Sequence, residues 1–193
     1  MLIVMDFKSF VDSDGILWLP EEVKCLDDFK NIISKITSLG YNCFDFSTLK
    51  GLGIPASVSE IKWCFYECNN LQKILVSEAN LTYKSIDGVL YTRDNRLVAF
   101  PNGRTGEYHV PNYIVEICNF AFKTNHISEI YIPKSVKKVG TNAFYQSAVK
   151  CVHIEDKNID LGRVSGKANY HFEVECNGRM YSYEEFLNTK KTK

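Results

Sequence analysis

The chain lacks any long hydrophobic run. Its opening, MLIVMDFKSF, sets four apolar residues after Met1 before Asp6 and Lys8 interrupt them. A secretory leader needs roughly 7 to 15 consecutive apolar residues behind positive charge, and a membrane-spanning helix about 20. Neither is visible, so no membrane insertion is expected. An excess of charge of one sign is also missing: 23 Lys and Arg stand against 23 Asp and Glu, and the only basic cluster is the final TKKTK. A nucleic-acid-binding surface would show a basic stripe, so nucleic acid is not an expected partner. Catalytic signatures are absent too, with no G-x-S-x-G, no glycine-rich phosphate loop and no H-E-x-x-H. Any enzymatic site would have to be assembled from scattered residues.

The seven cysteines, at 25, 43, 64, 68, 118, 151 and 176, are odd in number and irregularly spaced. That pattern suits free thiols in a reducing compartment better than a disulfide framework, and it argues for the cytoplasm. A surface or secreted location would require a leader ahead of this sequence. Cys64 and Cys68 sit four apart, but no second pair or histidine follows at zinc spacing, so no metal or other cofactor is expected.

What the chain does have is an internal repeat. IPASVSEIKWCFYECNNLQKILV from Ile54, VPNYIVEICNFAFKTNHISEIYI from Val110 and IPKSVKKVGTNAFYQSAVKCVHI from Ile132 overlay without a gap. Counted from Pro55, Pro111 and Pro133, the third residue on is Val58, Ile114, Val136, and the sixth is Ile61, Ile117, Val139. The eleventh is Tyr66, Phe122, Phe144, an aromatic column that reads as core. The sixteenth, nineteenth and twenty-first positions are likewise apolar in every copy, ending in Val76, Ile132 and Ile154. A unit of about two dozen residues cannot bury such a face alone, so neighbouring units must stack and share one elongated core.

The run IP-x-x-V-x-x-I, then A-F, then L-x-x-I-x-I, clearest from Ile132 to Ile154, resembles the BspA-type leucine-rich repeat. The resemblance covers roughly half of the chain and implies a leucine-rich-repeat solenoid with a binding role, often adhesion at cell surfaces. It implies no catalytic residue.

The expected architecture is a mainly β, right-handed, parallel-stranded stack of about three and a half repeats over residues 49–155. Residues 1–48 would form an N-terminal cap built on a helix over about 20–39, where Val23, Leu26, Phe29, Ile32, Ile33, Ile36 and Leu39 recur at three and four, with Pro20 in the first turn and Gly40 as the stop. The turn signals Asp87-Gly88 and Asp94-Asn95 mark a β-hairpin inserted over about 78–108. Residues 156–193 supply the C-terminal cap: alternating Tyr170, Phe172, Val174 and Cys176, a turn at Asn177-Gly178, a capping box from Ser182 to Glu185 opening a short helix, and a tail.

Strand alternation sends Ile74, Val76, Ile130, Ile132, Val152 and Ile154 inward, so Lys73, Leu75, Glu129, Tyr131, Cys151 and His153 face outward. Leu75, Tyr131 and His153 are expected to form one file on the concave face, a partner-binding strip in which Tyr131 is the leading hot spot. Cys151 and His153 are the one nucleophile and base pairing, with no third group to orient the histidine. The function expected is a non-catalytic module that binds a protein through the concave face. The alternatives are a cell-surface adhesin contacting host matrix protein or glycan, and self-association through open sheet edges or concave strips.

Overall fold

The repeat turns that pass through Pro55, Pro111 and Pro133 follow one path: a strand, a reversal at the proline, a second short strand, and a return past a buried phenylalanine at Phe65, Phe122 or Phe144. The computed structural model describes residues 16–18, 37–40, 44, 49–162 and 172–189, the first three by backbone alone. Along the chain run β1 (Ile16–Trp18), β2 (Ser38–Leu39), β3 (Gly51–Ile54), β4 (Glu60–Ile61) and β5 (Lys73–Val76). Then come β6 (Tyr83–Ile86), β7 (Val89–Thr92), β8 (Arg96–Ala99), β9 (Thr105–His109), β10 (Glu116–Ile117) and β11 (His126–Ile132). The last elements are β12 (Lys138–Val139), β13 (Cys151–Ile154), β14 (Asp160–Leu161), β15 (Glu173–Cys176), β16 (Arg179–Ser182) and α1 (Tyr183–Asn188).

The longer repeat strands form one wall, the one expected to be concave, as two sheets ordered β1-β3-β5 and β9-β11-β13-β15-β16. All of these neighbours are parallel except the final β15-β16 pair. The short strands form the opposite wall, ordered β2-β4 and β8-β10-β12-β14, again in parallel. Between the walls, Phe100, Phe122 and Phe144 stack with centroids 5.3 and 5.5 Å apart, and Phe172 meets Phe144 edge-on at 5.5 Å. Ile114, Ile117, Ile127, Ile130, Val136 and Val152 around them have no exposed surface.

Buried asparagines tie successive turns together. Asn102 Nδ2 donates to the Phe65 carbonyl and to Thr124 Oγ1, and Asn125 Nδ2 donates to the Pro101 carbonyl while its Oδ1 accepts from Ile127 N–H. Asn80 gives both amide hydrogens to the Pro55 and Val58 carbonyls and takes the N–H groups of Thr82 and Tyr83 on its oxygen. A fully satisfied buried amide of this kind fixes the path of the chain as it leaves the stack.

That departure is shorter than the expected insertion over 78–108. β6 and β7 form an antiparallel hairpin across Asp87 and Gly88, both at positive φ, and β8 pairs antiparallel with β7 on one side. On its other side β8 pairs parallel with β10, and β9 pairs parallel with β11. Residues from 96 onward therefore occupy repeat positions, with Leu97 in the column of Ile117. The hairpin tip packs against β5: Ile74 N–H donates to the Gly88 carbonyl at 2.8 Å, and a Cβ on Gly88 would lie 2.7 Å from Lys73 Cβ. Glycine is required there by both the turn and the contact.

Two further expectations are corrected. Ser38 and Leu39, the end of the expected helix, are a strand paired with Glu60 and Ile61; the rest of that helix, the Asp14-Gly15 turn and Tyr170 lie outside the described residues. In the first repeat copy Phe65, 6% exposed, takes the core aromatic place instead of Tyr66. Phe44 N–H bonds the Cys64 carbonyl just as Phe100 bonds Ala121 and Phe122 bonds Ala143, so the residue after each acceptor is Phe65, Phe122 and Phe144. The Tyr66 ring lies outward, 5.8 Å from Trp63, with Lys123 Nζ 4.6 Å from its centroid.

At the C-terminal end, β16 turns back antiparallel across Asn177 and Gly178, both at positive φ. The Ser182 hydroxyl accepts from Glu185 N–H while the Glu185 carboxylate accepts from Ser182 N–H, and Phe186 is buried over the last turn. Removing the Phe122 side chain by F122A is expected to cost about 3–5 kcal/mol in urea unfolding, whereas Y66A costs under about 1.5 kcal/mol; equal losses would return Tyr66 to the core.

Candidate functional site

Parallel, in-register strands bring residues 22 apart in sequence to neighbouring places about 4.8 Å apart. On the outer side of β9, β11 and β13 this juxtaposes His109, Tyr131 and His153. Their rings form a stack, with centroids 4.1 Å apart for His109 and Tyr131 and 4.2 Å for Tyr131 and His153, each pair within 4° of parallel. Glu175 follows in the same file on β15, and Met180, 48% exposed, lies opposite it on β16.

A second outward file runs beside the rings: Glu107, Glu129, Cys151 and Glu173. The two files are cross-linked. Glu129 Oε2 accepts from the Tyr131 hydroxyl at 3.1 Å and lies 3.0 Å from His153 Nε2, while His153 Nδ1 lies 3.4 Å from Glu175 Oε2. His109 Nε2 lies 3.4 Å from Glu107 Oε1. His153 and Tyr131 hold the Glu129 carboxyl below the usual range, and the hydrogen bond to Glu129 pushes the Tyr131 phenol up.

Of the six residues expected on the concave face, four meet. Glu129, Tyr131, Cys151 and His153 share one sheet, but Lys73 and Leu75 pair with Gly51 and Gly53 in the other. The hairpin tip closes the far edge of β5, so Leu75 does not stand beside Tyr131; His109 does. The expected file of Leu75, Tyr131 and His153 is thus His109, Tyr131 and His153. His109, Glu107, Glu173 and Glu175 were not singled out from sequence. The signal was present: GEYHVP at residues 106–111 repeats the alternation and final proline of SEIYIP at 128–133.

The surroundings of the Cys151 thiol disfavour its thiolate. Burial, then the charge of Glu129, pushes its pKa up, and both nitrogens of His153 face carboxylates. Thiolate chemistry requires the opposite environment. Cys118 is raised further, to about 11, chiefly by burial. Among the described residues no group of three His, Cys, Asp or Glu side chains is placed to hold a metal ion, and no helix is long and apolar enough to cross a membrane. Cys118 and Cys151 are free thiols.

Iodoacetamide is expected to label Cys151 and Cys118 more slowly in the native protein than in the urea-unfolded chain at neutral pH; faster native labelling of Cys151 would reveal an activated thiolate. Because folding lowers the Glu129 pKa, its contribution to stability is present above the ordinary glutamate range and is lost as pH falls through the folded value. His153→Ala should therefore move the Glu129 carboxyl titration upward in NMR, and an unchanged midpoint would show that the ion pair does not form.

A family model described as BspA type leucine rich repeat region matches in six copies over residues 24–89 and 96–173, more repeats than the three and a half expected from the clearest columns. No curated protein matches. Among solved structures, the pneumococcal vaccine antigen PcpA is 18% identical, with a TM-score of 0.53 over 79% of this chain and 50% of that one. A leucine rich cell surface protein from Faecalibacterium prausnitzii is 20% identical, with a TM-score of 0.50 over 78% of this chain and 54% of that one. A leucine-rich repeat protein from Eubacterium ventriosum is 28% identical, with a TM-score of 0.49 over 63% of this chain and 40% of that one. The chain spans about half the length of these structures or less, and the likeness is one of fold.

Proposed function

The chain belongs to the BspA-type leucine-rich repeat family, and from that premise we propose that it is a non-catalytic protein-interaction module that recognises its partner with the concave face of the β9-to-β16 sheet. The ring stack of His109, Tyr131 and His153 carries this reading. It is a stacked aromatic surface presented outward, away from the shared core. Tyr131 lies at its centre, half-buried, with a hydroxyl held by Glu129. A pre-positioned tyrosine offers contact area at low entropic cost, which is why such residues dominate binding energy.

A surface role, in which the same face contacts a host matrix protein or glycan, is the second reading. It draws on two neighbours of this fold whose names describe a vaccine antigen and a cell surface protein. The odd number and irregular spacing of the seven cysteines favour a reducing compartment instead.

Affinity capture with the wild-type protein and with Tyr131→Glu, from the source organism's lysate and from a panel of matrix proteins, tests the proposal. A partner retained by the wild type should bind the variant at least about tenfold more weakly, the scale of a hot-spot loss, while thermal unfolding of the variant stays close to wild type. Equal retention by both would remove the concave face from recognition.

A further inference from the structure

The outward files of the β9-to-β16 sheet hold four glutamates, Glu107, Glu129, Glu173 and Glu175, and no lysine or arginine. The chain as a whole carries equal numbers of basic and acidic residues, so this face is set apart from the average surface. Resting on the reading of the concave face as a recognition surface, we infer that its partner presents an extended, basic protein segment, with arginine or lysine side chains seated on the glutamate file and its remaining groups against the rings.

Three features of the face fit that occupant. Glu107 and Glu129 stand on adjacent strands, and Glu173 stands two strands beyond Glu129. The carboxylates therefore follow one another at roughly 5 and 10 Å across the sheet. An extended chain sets alternate side chains about 6.5–7 Å apart on one side, so cations two residues apart reach neighbouring carboxylates in succession. The bonds of Glu129 to Tyr131 and His153 both fall on Oε2, and Glu107 and Glu173 are exposed. The stacked rings and Met180 give the apolar stems of long cationic side chains a surface to cover. A nucleic acid or an anionic membrane would be repelled by the same carboxylates.

Fluorescence anisotropy with a labelled nine-residue peptide alternating arginine and serine tests this, with an alternating glutamate and serine peptide as control. The basic peptide should bind, the acidic one should not, and binding should weaken steeply with added salt. Glu107→Gln with Glu173→Gln, two exposed positions whose loss leaves the His153 contacts intact, should weaken binding at least about tenfold, the scale of removing close charge pairs at an interface. Removing the same charge elsewhere, by Glu78→Gln with Glu184→Gln, should leave it unchanged. Equal weakening by both pairs, or no preference for the basic peptide, overturns the inference. Loss of a captured partner by Tyr131→Glu without basic-peptide binding would overturn this assignment alone and leave the concave face as the recognition surface.

Discussion

The in-register stacking of parallel turns, 22 residues on from one strand to the next, is the constraint on which the rest of the structure depends. A single turn has an inward face of isoleucine, valine and phenylalanine that it cannot cover with its own residues, and the next turn covers it. Once two turns are in register, every inward column becomes a continuous file: Phe100, Phe122 and Phe144 through the middle, with Ile130 and Val152 beside them. The outward columns obey the same geometry without the same necessity. The ladder of His109, Tyr131 and His153 is thus a by-product of the backbone in its spacing and a matter of residue choice in its chemistry.

A stack of this kind must be interrupted or closed wherever its edge would otherwise be left to pair with another chain. β16 folds back antiparallel on β15, and α1 buries Phe186 against the last turn, which ends the concave sheet on the C-terminal side. In the middle, the β6-β7 hairpin leaves the stack after Asn80 and returns through β8, and its tip occupies the edge of β5. Arg104 fastens this junction by donating to the Gln72 and Asp87 carbonyls. The consequence is local and functional. The concave wall becomes two sheets, and only the one beginning at β9 carries the ring ladder.

The inward columns were legible in the sequence because burial leaves few acceptable residues at each place, and Tyr131 and His153 followed from them by alternation alone. The Asp87-Gly88 turn was legible because two consecutive positive φ angles demand such residues. Three readings failed for physical reasons. The spacing of four and then three that makes Ile54, Val58 and Ile61 a repeat is also the spacing of a helical face, so Leu39 read as the end of a helix when it is a strand residue. A gapless overlay hid a one-residue offset between Pro55 and Phe65, which moved Tyr66 into a column it does not occupy. His109 was missed because Pro111 marked the start of a copy, and the strand that precedes such a proline was assigned to the insertion.

The carboxylates of the outer face bear on function because the inward packing that builds the stack does not call for a charge at those places. Like charges directly opposite one another on neighbouring strands are destabilising, and Glu107 faces Glu129 across a strand pair. The arrangement is relieved only in part: His153 lies between Glu129 and Glu175, and His109 sits beside Glu107. Asparagine, threonine or serine at the same outward places would satisfy the β geometry without that repulsion. Inside the stack, by contrast, the buried asparagines Asn80, Asn102 and Asn125 each make bonds that fix the path of the chain. A row of glutamates beside outward-facing rings is a surface whose composition is better explained by what approaches it than by what lies beneath it.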